Sequence, residues 1–242
     1  MENQTKVGLN RTGMQMSPIA GPDQARFAMS QPANPETGGA EILSAARGAY
    51  VQESSRIGSV PVPATGKGLA QTAMGKLKGQ NPEVLIDKLG QRLAYERSGV
   101  RLYQAMIGKV EAAGHPDQAQ LLADLQHICE EELSHFRMLD EAIRSIGGDP
   151  TAQTPCADVS AVASMGMIQV ITDPRTTVAQ SLETMLSVEL TDNACWELLI
   201  DLTSQAGHDG LVERFRDALE NERQHEAMIT RWLRDTVLAE AT

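Results

Sequence analysis

Twice in this 242-residue chain a Glu is followed three positions later by a His, as Glu132–His135 and Glu222–His225. Each pair trails a lone Glu: Glu96 stands 36 residues before Glu132, and Glu189 stands 33 before Glu222. On an α-helix, residues three apart lie on one face, so each pair can aim a carboxylate and an imidazole at the same point. The order E, E-x-x-H, E, E-x-x-H is satisfied when four helices face one another. Four carboxylates and two imidazoles converging between them make a site for two divalent metal ions.

The surrounding sequence supplies those helices. Asn81-Pro82-Glu83 reads as a helix start, with Asn as cap and Pro in the first turn, and the helix runs to Ala113 before Gly114-His115-Pro116. A second pattern spans Asp117 to Ile146 and ends at Gly147-Gly148-Asp149-Pro150. A third starts after Asp173-Pro174 and ends near Gly207, and a fourth runs from Asp209 to about Leu238. The links are short, long, short. The 27 residues Gly147–Asp173 hold room for a short helix across Val159–Val170. A single long crossover in the middle makes the second and third helices parallel. The expected fold is therefore all-α, a four-helix bundle with the crossover between helices 2 and 3.

Register places the glutamates inside it. Leu89, Leu93, Val100, Tyr103, Ile107 and Val110 form an apolar stripe with Glu96 in its gap, and Leu125, Cys129, Phe136, Leu139 and Ile143 bracket Glu132. Leu182, Met185, Trp196 and Leu199 flank Glu189, while Leu211, Phe215, Ala218, Ile229 and Trp232 continue the seam through Glu222 and His225. An isolated buried carboxylate costs several kcal/mol, and the sequence shows no matching set of inward-facing Lys or Arg. Two metal ions remove that cost. Glu130, Glu131 and Glu226 are expected to face elsewhere, solvated or bridged to Arg, and His115, His127 and His208 to be structural or exposed. Asp192 can serve as a further ligand or as a solvated or supporting carboxylate. Tyr103 can be core packing or a hydrogen-bond donor to a ligand carboxylate.

Residues 1–80 differ in character. They hold 11 of the 20 glycines and 6 of the 11 prolines, which suits a flexible arm with little more than a short helix around Ala40–Glu53. The arm carries 8 Lys/Arg against 5 Asp/Glu, and the remainder 13 against 27. So acidic a body argues against nucleic acid as partner and suits cations. The three cysteines, Cys129, Cys156 and Cys195, form no C-x-x-C pair and no disulfide framework. Neither an 18-residue apolar run nor a secretory leader stands out. The expected setting is cytoplasmic.

The pattern Glu96, Glu132-x-x-His135, Glu189, Glu222-x-x-His225 resembles the di-iron carboxylate signature of the ferritin-like superfamily, and within it the rubrerythrin-like branch. The resemblance covers about residues 81–240. It implies two iron ions, with manganese as the alternative metal. It further implies Glu132 and Glu222 as bridges, Glu96 and Glu189 as terminal or bridging carboxylates, and His135 and His225 capping one ion each. The branch often has a Glu where this chain has the shorter Asp192, and a Tyr where it has Tyr103. Lacking C-x-x-C, the chain has no rubredoxin-type electron donor of its own, which leaves a separate donor protein as a partner. The implied activities are redox chemistry on peroxide, O2 or Fe(II), with iron storage or manganese-catalase-like dismutation as alternatives. Self-association, and a tethering role for the arm at a shell or partner, complete the expectations; the arm's alternative is a plain disordered tail.

Overall fold

The computed structural model describes residues 17–31, 38–77, 79, 81–114 and 117–241. Among them every regular element is helical. His115 lies outside the described residues. The bundle helices are α4 (Pro82–Ala113), α5 (Gln118–Ser145), α7 (Val178–Gln205) and α8 (Asp209–Glu240), with α6 (Pro155–Thr172) on the crossover. Pro82 occupies the first turn of α4 as expected, although the Asn81 side chain makes no capping bond. Gly114, at φ 69°, ends α4 in the left-handed conformation that glycine tolerates. Thr177 and Gln180 start α7 with a reciprocal capping box.

Cross-helix contacts fix the topology. α4 pairs with α5 and α7 with α8, while α4 also packs on α7 and α5 on α8. Arg92 meets Asp192 and Tyr103 meets Glu189, so α4 and α7 are antiparallel. Glu131 meets His225 and Arg231 meets Asp124, so α5 and α8 are antiparallel too. The short link makes α4 and α5 antiparallel, and α5 and α7 therefore run in the same direction, as the long crossover requires.

α6 is longer than its sequence suggests, because Thr154 caps it ahead of Pro155. Asp87 of α4 anchors its start by accepting from the Cys156 N–H at 2.8 Å. By length and composition α6 is apolar enough to cross a membrane, which corrects the expectation that no such stretch exists. It packs on α4 and α7 through Ala157, Ser160 and Ile171 and leaves Val159, Val162 and Met165 exposed.

Among the described residues of 1–80 there is more helix than the one expected around Ala40–Glu53: α1 (Ala20–Ser30), α2 (Gly38–Glu53) and α3 (Gly66–Leu77). The chain divides at Ile57–Gly58 into two compact units, so α3 belongs with the bundle. α3 docks where Gly68 meets Gly147: a Cβ on Gly68 would stand 2.6 Å from the Gly147 carbonyl oxygen. In the other unit, Phe27, Ile42 and Tyr50 are exposed.

Candidate metal centre

The bundle core is not continuous. One apolar cluster gathers Leu102, Met106, Leu125, Leu182 and Ile229, and a second gathers Leu89, Leu139, Trp196, Leu199 and Phe215. Between them lies a buried polar layer of Glu96, Glu132, His135, Glu189, Glu222 and His225. All six residues singled out in the sequence are thus brought together. The apolar stripe of α5 is rotated slightly from expectation, with Ile128 fully buried and Cys129 and Phe136 only half-buried. That rotation aims Glu132 and His135 together at the bundle axis.

The donor atoms fall into two overlapping groups. Glu189 and His225 converge with Glu132 and Glu222, while Glu96 and His135 converge with Glu222, the donor atoms within each group lying within 4.8 Å of one another. Glu222 sits between the imidazoles: its Oε1 is 2.7 Å from His135 Nδ1 and its Oε2 is 3.1 Å from His225 Nδ1. Asp192 joins Glu96, Glu132 and Glu222 in a third group. One of its oxygens is bonded to Arg92, and the other is buried without a hydrogen bond. The Tyr103 ring packs fully buried in the first apolar cluster while its hydroxyl donates to Glu189 Oε1 at 2.5 Å, so it fills both expected roles.

Several neighbours were not legible as site residues. Arg92, one turn before Glu96, is a buried cation where none was expected. Its Nη2 donates to Glu96 Oε1 at 2.8 Å and to Asp192, and its guanidinium lies over the Tyr95 and Trp196 rings. The i, i+4 spacing of Arg92 and Glu96 was the available signal. Glu131 was expected to face away, yet its Oε2 lies 2.9 Å from His225 Nε2 across the α5–α8 interface. Asn221 stands 3.4 Å from His135 Nε2. Gly99 makes room for Glu132, whose Oε2 would lie 2.1 Å from a Cβ at that position. Glu226 accepts from Asn193 rather than from an Arg, and Glu130 and His127 are exposed as expected.

Electrostatics show what the layer lacks. Burial and the neighbouring carboxylates drive Glu132 and Asp192 well above the usual carboxylate range and lift Glu189 to about 8. Burial also raises Glu96, against the pull of Arg92. Burial works to raise Glu222 as well, but the two imidazoles overcome it and bring Glu222 down to about 2. His225 rises to about 9 because Glu222 outweighs its burial. Both oxygens of Glu132 and one each of Glu96, Glu189 and Asp192 are buried with no hydrogen bond. Among the described residues, Arg92 is the one Arg or Lys buried beside five acidic side chains. Convergent, unpartnered carboxylate oxygens beside two imidazole nitrogens are the donor set that divalent metal ions complete. A cavity of about 520 Å³, lined by Val62, Met74, Leu85, Ile143 and His208 among others, shares no residue with this layer.

Fold and site together define a four-helix bundle with a buried carboxylate–histidine cluster able to bind metal. The ferritin-like domain family matches residues 86–239, well over half of the chain. The chain belongs to that family. Among solved structures, a ferritin-like, diiron-carboxylate protein from Bacillus anthracis str. Ames is 21% identical, with a TM-score of 0.49, covering 62% of this chain and 94% of that one. No curated protein matches the chain.

Proposed function

We propose that the Glu/His layer holds two iron ions and that the protein is a redox protein acting on peroxide, O2 or Fe(II). The observation that carries this reading is the set of unpartnered buried carboxylate oxygens meeting two imidazoles at the midpoint of the bundle. Glu132 and Glu222 would be shared between the two ions, Glu96 with His135 would complete the holding of one, and Glu189 with His225 that of the other. An iron pair supplies two electrons to an oxidant, one from each ion.

The chain's own residues shape that chemistry. The apolar clusters on either side keep bulk water from the layer. Tyr103 fixes Glu189, and Arg92 fixes Glu96. Asp192, with one oxygen held by Arg92 and the other free, offers a protonatable group beside the bridges. This balance of one Glu and one E-x-x-H per half, with redox turnover in view, favours two-electron chemistry over bulk storage. The odd count of three cysteines, Cys129, Cys156 and Cys195, with no C-x-x-C pair is the ground for proposing a reducing, cytoplasmic setting.

The test begins with metal analysis of the purified protein, which separates iron from manganese. Anaerobic Fe(II) loading to two per chain follows, then one equivalent of H2O2 or, separately, O2. Rapid stoichiometric oxidation is expected. Inertness to both oxidants, or mineral growth beyond two irons per chain, overturns the reading.

A further inference from the structure

The two metal positions have the same kinds of ligand, but their supporting groups differ. His225 Nδ1 faces the ligand carboxylates, at 3.1 Å from Glu222, 3.7 Å from Glu132 and 3.8 Å from Glu189. With Nδ1 turned to a metal, Nε2 carries the proton, and it donates to the Glu131 carboxylate at 2.9 Å. His135 is arranged in the same way, with Nδ1 towards Glu222 and Glu96. Its Nε2, however, meets only the neutral amide of Asn221, at 3.4 Å. The amide oxygen can be turned to accept that proton.

The terminal carboxylates repeat the contrast. Glu96 accepts from the Arg92 guanidinium, a charged donor that draws electron density from its oxygen. Glu189 accepts from the neutral Tyr103 hydroxyl. Asp192 adds no net charge to the Glu96 side, because it is paired with Arg92. The supporting groups therefore sum to neutral around Glu96/His135 and to one negative charge around Glu189/His225. His127 also reaches Glu131, at 3.4 Å, but it is 59% exposed and solvent screens that contact.

We propose that Glu131, acting through His225, makes the Glu189/His225 position the tighter of the two, so that the centre loads in order and its ions are inequivalent. Glu131 is a positioning residue. Its carboxylate holds the imidazole tautomer that presents Nδ1 and raises the basicity of that nitrogen, an effect typically about 10–100-fold in metal affinity. This inference rests on the reading that the layer holds two ions.

The full chain is titrated anaerobically with Co(II), followed by calorimetry and by the visible absorption of bound Co(II). Two steps, totalling two ions per chain and separated by about 10–100-fold, are expected. Glu131→Gln keeps the hydrogen bond and removes the charge. It should weaken the first step by about that factor, shift its absorption, and leave the second step and the total unchanged. Asn221→Asp should instead tighten the second step and narrow the gap from the other side. His225→Ala should abolish the tight step and His135→Ala the weak one. If Glu131→Gln leaves the tight step unaltered, or wild type binds two ions in one unresolved step, the proposal falls while the dimetal reading stands. A wild-type total below two per chain overturns both.

Discussion

Gly99 offers the sharpest test of the site, because one methyl group separates backbone stability from metal binding. An alanine Cβ at this position would stand 2.1 Å from Glu132 Oε2 and 2.9 Å from its carboxyl carbon. Rotation can carry the oxygen clear but leaves the carboxyl carbon inside the 3.0 Å that real Cβ atoms respect, so the Glu132 carboxylate must both turn and shift from its observed position. Gly108, on the same helix, has nothing within 4 Å of its Cβ position and serves as the control. Replacing an interior helical glycine by alanine normally stabilises by about 1 kcal/mol, or about 2–4 °C in a chain of this size. Gly108→Ala should show that gain with metal binding unchanged. In Gly99→Ala the displaced Glu132 offsets the gain, and metal affinity should fall at least about tenfold, roughly 1.4 kcal/mol, approaching the loss in Glu132→Ala. Thermal melts of metal-free protein and anaerobic Fe(II) calorimetry on both variants measure the two effects. Two ions bound by Gly99→Ala with wild-type affinity would show that Glu132 does not bridge from its observed position.

Two further outcomes follow from the charge and the packing. Glu189 is raised from 4.5 to about 8 and His225 from 6.5 to about 9, so the folded metal-free chain holds protons that the unfolded chain releases. Their stabilisation is full below about 4.5 and 6.5 respectively and is lost as pH rises through 8 and 9. Glu222, lowered to about 2, loses its contribution only on acidification and is constant in this window. The metal-free midpoint should therefore fall between about pH 6 and 8.5, and the gain on adding Mn(II) should grow, because metal displaces those protons; a gain independent of pH in thermal melts refutes the assignment. A chain beginning at Gly58 should keep the midpoint, whereas one beginning at Gly79 loses the Lys76–Glu83 pair and the Gly68–Gly147 packing. The second should melt about 5 °C lower, roughly 1–2 kcal/mol, and equal midpoints for the two truncations show that α3 adds nothing.

Short-range signals carried the bundle helices. Pro82, the Gly114 turn, the Gly147-Gly148 break and the residues after Asp173-Pro174 act within a turn of the chain, so the ends of α4, α5 and α7 could be read to within a few residues. The N-terminal region misled for the same reason: abundant Gly and Pro lower local helix propensity, yet α3 is held by contact with the α5–α6 link, far along the sequence. Beyond its Thr154 cap, the start of α6 depends on Thr154 docking against Asp87 and Gly90 of α4, which no local signal in the sequence shows.

By itself the sequence determined the candidate ligands, since spacings of three and four decide which residues share a helical face. A Glu inside an apolar stripe must point inward. What surrounds each ligand was decided only by the tertiary structure, because those neighbours come from other helices at separations that no period encodes. Glu131 reaches His225 across 94 positions and Arg92 reaches Asp192 across 100. Nothing local to Glu131 distinguishes it from the solvated Glu130 beside it. Antiparallel packing of α5 on α8 and of α4 on α7 sets those pairs, and with them the difference between the two halves of an otherwise symmetric site.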